Sequence, residues 1–278
     1  MKLNFVKLSP SKNTTILITD FVDPKHYVEV ANKTMSYEYL NAEQVGFIKK
    51  SKDPKSVLRF EMPGGEFCGD GLMSAAVLAR WMGYCGENEF QLESSGVNNP
   101  VNCKVECINE NVYKSKITVP ADFKISDYSI KYKDKKIEGQ LVILPGISHY
   151  IVKNQDNSYG SKLITGIIKC LAKEIDAKAI GVIPYHINSG NAAIKPCIHV
   201  PETGKLLFES GCGSGTMALG ICLAEKKNCA VSMDIIQPGG VIHIDVDFED
   251  GGNNDSKMIK MISLETDIGI TCKGQIYI

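Results

Sequence analysis

Two apolar helical segments, each preceded by a glycine-rich loop, dominate the hydrophobic pattern of this chain. The first is "LMSAAVLARWMG" after "EFCGDG", and the second is "TMALGICLAEKK" after "FESGCGSG". After each helix comes a short segment, "EFQLES" or "SMDIIQ", that is predicted to be a strand. The pattern therefore predicts that loop, helix and strand occur twice in the same order.

An ungapped alignment of Cys68 with Cys212 shows that the likeness between the two segments extends to individual residues. The identical pairs are Cys68/Cys212, Gly69/Gly213, Gly71/Gly215, Met73/Met217, Cys85/Cys229 and Gly96/Gly240. They fall on the loop, helix and turn landmarks and are not scattered. Self-similarity over so long a period indicates duplication of a whole lobe and not a solenoid repeat.

The segments before each cysteine fit the same plan. In the first half, strand "TTILIT" precedes helix "DPKHYVEVANKTMS", with Asp23 as its cap and Pro24 at its first position. In the second half, strands "GQLVILP" and "SHYIVK" precede helix "GSKLITGIIKCLAKEI". Strands "SVLRFEM" and "KLLFES" then lead to the two cysteine loops.

We therefore expect an α+β fold of two pseudo-symmetric lobes, each a mixed or antiparallel sheet around a central helix. The predicted lobes span 1–120 and 138–273, and the last strand, 274–278, is a candidate to rejoin the first lobe. The polar segment "PADFKISDYSIKYKDKK" is predicted to link them. Duplicated lobes usually face each other, which would bring both cysteines to one cleft.

Composition narrows the function classes. Lys and Arg number 31 against 32 Asp and Glu, so nothing indicates a nucleic-acid surface. No apolar run approaches the roughly 20 residues that span a bilayer, and no signal peptide is apparent. A cytoplasmic protein without nucleic-acid or membrane partners is expected. Its ten cysteines are then predicted to be reduced, and no CxxC pair indicates a metal site.

The two glycine-flanked cysteines are the candidate catalytic groups. A thiol just before a helix lies in the positive field of the unpaired N–H groups, which favours the thiolate. Two such groups around one carbon would supply a base on one face and an acid on the other, and would invert a stereocentre. This chemistry needs no pyridoxal cofactor, and no lysine motif for one is apparent, so no cofactor is predicted.

Other interpretations of the loops are weaker or belong to another class. A lone cysteine before an apolar helix is usually structural, but the duplication argues against that for this pair. A phosphate cradle does not fit, because "ESGCGSGT" lacks the lysine of a P-loop. A binding or redox-sensing protein that uses Cys68 and Cys212 as a reversible disulfide remains an alternative.

The two loops resemble those of the diaminopimelate epimerase family of cofactor-independent racemases and epimerases. Family members carry one catalytic cysteine in a C-G-N-G loop and another in a C-G-[ST]-G loop, which appear here as "CGDG" and "CGSG". The resemblance implies that Cys68 and Cys212 are catalytic and that a homodimer forms. It also implies substrate binding by the loop residues Gly69, Asp70, Gly213 and Ser214. Asp70, in place of the usual Asn, puts a negative charge near a substrate carboxylate.

Four further positions match the family pattern. Asn13 and Gln44 resemble family residues near the reacting carbon, although Asn13 could equally be a turn residue and Gln44 a polar strand end. Glu209 resembles an acidic residue that would receive the substrate ammonium. His149, in "GISH", is a candidate contact for a substrate ring, with a buried strand histidine as the alternative.

Departures from the family pattern bear on the substrate. The segment G-N-P-H appears as "GISH", with Ile147 at the asparagine position, and the arginine segment before the second cysteine is shortened to "ESG". The loss of such a carboxylate clamp argues against a distal carboxylate on the substrate. The shortened segments resemble the histidine racemase branch, known from metallophore biosynthesis, which implies L-histidine as substrate. Diaminopimelate epimerisation is the alternative within the same fold.

Overall fold

A computed structural model describes residues 1–154, 158–188, 190–201, 204–250 and 257–278. The chain divides into two compact units. Unit 1 comprises residues 1–118 and 265–278, and unit 2 comprises residues 119–264. Both units are α+β and rich in strands.

Unit 1 contains two helices and seven strands from the first part of the chain. They are β1 Lys2–Pro10, β2 Thr15–Ile18, α1 Tyr27–Met35, β3 Gln44–Lys49, β4 Ser56–Glu61, α2 Gly69–Trp81, β5 Glu89–Ser94, β6 Val101–Asn109 and β7 Val112–Pro120. The 3-10 turn Pro24–His26 precedes α1, and the Asp23 side chain caps it by accepting from the Lys25 N–H, as predicted.

The sheet of unit 1 mixes parallel and antiparallel pairs. β2 is parallel to β3 and β4 to β5, while β1–β2, β3–β4, β5–β6 and β6–β7 are antiparallel. In its core, the Tyr27 ring stacks on Phe47, with ring centroids 3.7 Å apart. Helix α2 packs against β1, β2, β3, β4 and β6.

Unit 2 repeats this order of elements with a larger set of strands. They are β8 Lys124–Tyr132, β9 Lys135–Leu144, β10 Ile147–Lys153, α3 Ser161–Glu174, β11 Ala179–Asn188, β12 Asn191–Ile194, β13 Cys197–Val200, β14 Lys205–Phe208, α4 Gly213–Lys227, β15 Val231–Gln237, β16 Gly240–Asp250 and β17 Lys257–Tyr277. Strand β17 ends in unit 1, where it pairs antiparallel with β1.

Helix α3 is amphipathic and covers the sheet of unit 2. Its buried residues follow the i, i+3, i+4, i+7 spacing of one helical face, at Ile164, Ile167, Ile168 and Leu171. They pack with Tyr150 and other buried side chains of the strands. β10 and β11 are parallel, and β15 and β16 form an antiparallel pair after α4.

The helices that follow the two cysteines are buried on all sides, unlike α1 and α3. Every residue of α2 from Gly69 to Ala79 is buried, as is every residue of α4 from Gly213 to Ala224. Small residues allow strands to approach closely: a Cβ on Gly220 would lie 2.7 Å from Cδ1 of Ile244. Each of these helices is the central helix of its own unit.

The predicted linker is wrong. Residues 120–138 contain β8 and the start of β9, which form an antiparallel hairpin within unit 2. Lys133 makes the turn with φ 53, and Ile130 pairs with Ile137 as the buried contact. The polar composition reflects an exposed strand face, because alternate side chains of a half-buried hairpin point to water. The boundary falls after residue 118, within β7, and the returning segment begins at Glu265, not at 274.

Across the residues that the structure describes, no helix combines the length and apolar character that crossing a membrane requires.

Candidate active site

The two cysteines cap their helices with nearly the same geometry. Cys68 is the N-cap of α2, with φ −134 and ψ 108, and Cys212 is the N-cap of α4, with φ −146 and ψ 101. In each loop the sulfur accepts the N–H three residues on, at 3.3 Å, from Gly71 and from Gly215. A sulfur in this position takes the place of the usual oxygen cap and experiences the positive end of the helix dipole.

In unit 1, Cys68 lies at the end of a chain of hydrogen bonds that starts at the β1–β2 turn. The Cys68 thiol donates to Oε1 of Gln44 at 2.9 Å. The Gln44 amide donates to Oγ1 of Thr15 at 2.7 Å, and the Thr15 hydroxyl donates to the backbone oxygen of Asn13 at 3.2 Å. The structure thus brings together three of the predicted site residues, Asn13, Gln44 and Cys68.

Asp70, in the first turn of α2, is also part of this group. Its Oδ2 accepts from the Asn13 side-chain amide at 3.0 Å, and both side chains are only 2% exposed. A buried carboxylate is costly unless it is hydrogen-bonded, and the helix N-terminus adds further stabilisation. The carboxyl group that distinguishes "CGDG" from the family pattern is therefore hydrogen-bonded by Asn13.

In unit 2, a glutamine also supports the cysteine, but through the backbone. Oε1 of Gln237, at the end of β15, accepts from the Cys212 N–H at 2.6 Å. The Gln237 amide donates to the Thr216 hydroxyl at 2.9 Å, and that hydroxyl donates to the Cys212 backbone oxygen at 2.8 Å. This ring of contacts fixes the loop and does not engage the sulfur.

His149 and Ser214 lie on the sulfur side of Cys212. Nε2 of His149, in β10, is 2.9 Å from Oγ of Ser214, which lies 3.6 Å from Sγ of Cys212. His149 has no exposed surface, and burial lowers its pKa from 6.5 to about 3, so the ring is neutral at ordinary pH. His149 is thus a buried histidine of strand β10, hydrogen-bonded to Ser214, and its contact with a substrate ring stays a prediction.

The remaining predicted residues occupy the loops themselves. Gly69 and Gly213 are the buried first residues of α2 and α4. Glu209 follows β14 and donates its backbone N–H to the Pro196 oxygen at 3.1 Å. Its role toward a substrate ammonium stays a prediction.

Sequence reasoning missed Thr15, Thr216 and Gln237. Gln237 had a readable signal, because it falls on the buried side of the alternation in β15, in line with Val231 and Ile235. A polar side chain at such a position needs a buried partner. The two threonines gave no comparable signal.

The deeply buried cysteines outside the two loops are expected to be unreactive. Burial raises the pKa of Cys103 far above its usual range and raises the pKa of Cys197 and Cys222 to about 12. These thiols stay protonated and pack as small apolar groups. Within the described parts of the chain, no group of three or more His, Cys, Asp or Glu residues is arranged to hold a metal ion.

Comparison with known proteins places this geometry in context. The family model described as the histidine racemase CntK N-terminal domain matches residues 2–277. A histidine racemase of Fusobacterium nucleatum is 30% identical over 99% of this chain and 97% of its own length. A histidine racemase of Staphylococcus aureus is 25% identical over 86% of this chain and 87% of its own length.

Solved structures of much lower identity share the fold. A hydroxyproline epimerase from Agrobacterium vitis superposes with a TM-score of 0.72 at 10% identity, covering 99% of this chain and 92% of that one. A phenazine biosynthesis protein of the PhzF family from Enterococcus faecalis gives a TM-score of 0.59 at 13% identity, with complete coverage of both chains.

Proposed function

The chain belongs to the histidine racemase family, and from that premise we propose that it interconverts L- and D-histidine with Cys68 and Cys212 as paired acid and base. The single observation that carries the proposal is the matched cap: two thiols at the N-termini of two buried helices, with the same backbone conformation and the same glycine contact. A structural cysteine needs no such duplicate.

The proposed reaction removes a proton from one face of the substrate Cα and adds a proton to the opposite face. A thiolate removes the Cα proton from one face and becomes a thiol. The opposite thiol delivers its proton to the other face and becomes a thiolate, so the stereocentre is inverted and the charge is conserved. The reverse reaction exchanges the roles of Cys68 and Cys212, as microscopic reversibility requires.

The helix N-termini would also stabilise the transient charge. When the Cα proton leaves, negative charge spreads onto the substrate carboxylate. First-turn N–H groups of α2 and α4 are suited to receive it, since glycines at Gly69, Gly71, Gly213 and Gly215 let a ligand approach the backbone. Preorganised donors of this kind lower the barrier where charge develops.

The same premise extends to architecture and assembly. The repeated order of elements and the matched caps support the proposal that units 1 and 2 are pseudo-symmetric lobes of a diaminopimelate epimerase-like fold. This arrangement would let both thiols act on one Cα. The resemblance further implies a homodimer, which sedimentation of the purified protein would test.

Chiral chromatography tests the activity directly. Purified protein incubated with L-histidine under reducing conditions should produce D-histidine, and D-histidine should return L-histidine. A panel of other amino acids, with LL-diaminopimelate among them, tests the substrate. Turnover of diaminopimelate but not histidine would replace the proposed substrate, and no turnover of any member would contradict the racemase proposal.

A further inference from the structure

The hydrogen bonds around the two cysteines run in opposite directions. In unit 1 the chain of partners ends in an acceptor that faces the sulfur of Cys68. In unit 2 it ends in a hydroxyl that can donate to the sulfur of Cys212. We infer that the resting protein holds Cys68 as a thiol and Cys212 as a thiolate, so that Cys212 is the base toward the enantiomer whose Cα proton faces it. This inference rests on the proposed function for its catalytic meaning, but not for its test.

The orientation of the Gln44 amide fixes the state of Cys68. The Thr15 hydroxyl has one proton, which it donates to the Asn13 backbone oxygen, so Thr15 can only accept from Gln44. The amide NH₂ therefore points to Thr15, and Oε1 points to Cys68 at 2.9 Å. A carbonyl oxygen cannot donate, so this contact is favourable only while Cys68 carries its proton.

Asp70 acts in the same direction. Its buried carboxylate lies two residues beyond Cys68, in the first turn of the helix that Cys68 caps. A neighbouring negative charge in a dry environment disfavours a second anion. Asn13 anchors this carboxylate by its side-chain amide.

The tautomer of His149 fixes the direction of the chain in unit 2. Among the described residues, Nδ1 of His149 has no hydrogen-bond partner, and it faces Gly181 so closely that a Cβ there would lie 2.1 Å away. Buried N–H groups without partners are rarer than buried acceptors without partners. The proton therefore belongs on Nε2, which donates to Ser214 and leaves the Ser214 proton to point at Cys212.

Features that the two loops have in common cannot make one thiol more acidic than the other. Both sulfurs accept a glycine N–H at 3.3 Å and both cap a buried helix. At the position after the following glycine, α2 carries Asp70 and α4 carries Ser214. The first loop thus carries a carboxyl side chain at the position where the second carries a hydroxyl, whose oxygen lies 3.6 Å from the sulfur of Cys212.

Several other charged side chains on the strands that pack against α2 and α4 are occupied in ion pairs with each other. Against α2 these are Lys49, Arg59, Glu61, Lys104 and Glu106. Against α4 these are Lys136, Glu138, Asp234, His243 and Asp245. Asp70 and His149 are the titratable groups that the described contacts bring into the two hydrogen-bond groups around the sulfurs.

The test measures each thiol in the substrate-free, reduced wild-type protein. Iodoacetamide labelling across a pH series, read by peptide mass spectrometry, gives a midpoint for each cysteine. The midpoint reports ionisation, whereas limited access lowers only the rate. We expect the midpoint of Cys212 to lie at least about one pH unit below that of Cys68. Equal midpoints, or the reverse order, would overturn the inference.

Two variants test the causes. Asp70→Asn should lower the midpoint of Cys68 and leave Cys212 unchanged, while Glu110→Gln, which removes an exposed charge in the same unit, should change neither. Ser214→Ala should raise the midpoint of Cys212 alone, with the exposed Ser126→Ala as its control. If Asp70→Asn left the midpoint of Cys68 unchanged, Asp70 would be ruled out as a cause of the difference between the two thiols.

The wild-type order of midpoints decides the inference even if a variant does not fold. It also separates the inference from the proposed function, because labelling needs no turnover. A protein with the expected order that racemises no amino acid would keep this inference and lose the racemase. A protein that racemises histidine but has equal midpoints for the two thiols would keep the racemase function and lose this inference.

Discussion

The N-terminal ends of α2 and α4 have the same backbone conformation, but the side chains around them differ. The cap torsions of Cys68 and Cys212 differ by no more than about a dozen degrees, and the contact from glycine to sulfur has the same length. Gln44, however, holds a sulfur, whereas Gln237 holds a backbone N–H. The two helix ends thus have the same cap and differ in the side chains around it.

Two caps with the same backbone conformation can therefore place their sulfurs in different chemical environments. A two-base racemase needs one protonated and one ionised thiol at any moment, and two identical environments would leave that choice to chance. Side chains that favour opposite states at the two helix ends would set it.

The largest expected effect is loss of racemisation when either thiol is removed. Cys68→Ser and Cys212→Ser should each lower the rate in both directions by about 10²- to 10⁴-fold, because a hydroxyl is a poor base and each direction needs both groups. Chiral chromatography measures both rates. Cys229→Ser, at an exposed thiol beyond α4, is the matched control and should keep wild-type activity. Full activity of either variant would show that the thiol removed is not required for racemisation.

Mild acid should destabilise the structure around α4, where His149 is buried, before the structure around α2. The pKa of His149 is about 3 in the folded protein against 6.5 as a free group, so the unfolded state binds more protons between these values. The stability that the protein gains from burying His149 as a neutral ring is fully present above pH 6.5, and it is lost as the pH falls toward 3. Between about pH 7 and about pH 5 the free energy of unfolding should fall by about 2 kcal/mol more in wild type than in His149→Gln.

Denaturant unfolding at the two pH values gives this difference. His243 provides a control of opposite sign: burial opposes it, but hydrogen bonds to Asp234 and Asp245 raise its pKa, so its contribution is lost as the pH rises. Hydrogen exchange in mild acid should show α4 losing protection before α2. Equal pH slopes for wild type and His149→Gln would contradict the buried neutral histidine.

A smaller effect concerns the space beside each sulfur. A Cβ on Gly71 would lie 2.4 Å from Cζ of the fully buried Phe60 ring, whereas one on Gly215 would lie 2.8 Å from Cδ1 of Ile183. A methyl group at the end of a side chain yields more easily than a ring. Gly71→Ala should therefore destabilise the protein by about 1–3 kcal/mol and Gly215→Ala by less. Urea unfolding measures both, and a larger cost at Gly215 would be the contradicting result.

The smallest effect is expected at the opposite ends of the two helices. Gly83, after α2, has φ 74, and Asn228, after α4, has φ 50. Gly83→Ala should cost about 1 kcal/mol of backbone strain, since no atom lies within 4 Å of the new Cβ. Asn228→Gly should change the stability by only a few tenths of a kcal/mol, because asparagine already tolerates this conformation. Thermal unfolding measures the change in stability for each variant. A larger loss for Asn228→Gly than for Gly83→Ala would contradict this explanation of the two helix C-termini.

The elements and the two cysteine loops were predictable because local patterns determine them. Helix α3 follows from its apolar spacing, the turn before α1 from Asp23 and Pro24, and both N-caps from the cysteine that begins each C-G-x-G loop. The linker prediction was wrong because polar composition alone does not separate an exposed hairpin from a coil. The pairing of Ile130 with Ile137 depends on register across the turn.

The partners of the cysteines could be predicted only in part. Family resemblance pointed to Gln44 and Asn13, but not to the Thr15 hydroxyl that orients the amide. The contact between His149 and Ser214 joins residues far apart in the sequence, through the packing of β10 against α4. Such contacts follow from tertiary packing, which no local pattern encodes.

The most direct test of two-thiol racemisation is the fate of the Cα proton at early turnover in deuterated water. Starting from unlabelled L-histidine, two-thiol racemisation should give one deuterium at Cα in the D-histidine formed, while the recovered L-histidine keeps its proton. Mass spectrometry of the separated enantiomers measures both. D-histidine that retains the original proton would mean that a single group removes and returns it, and the two-thiol mechanism would be wrong.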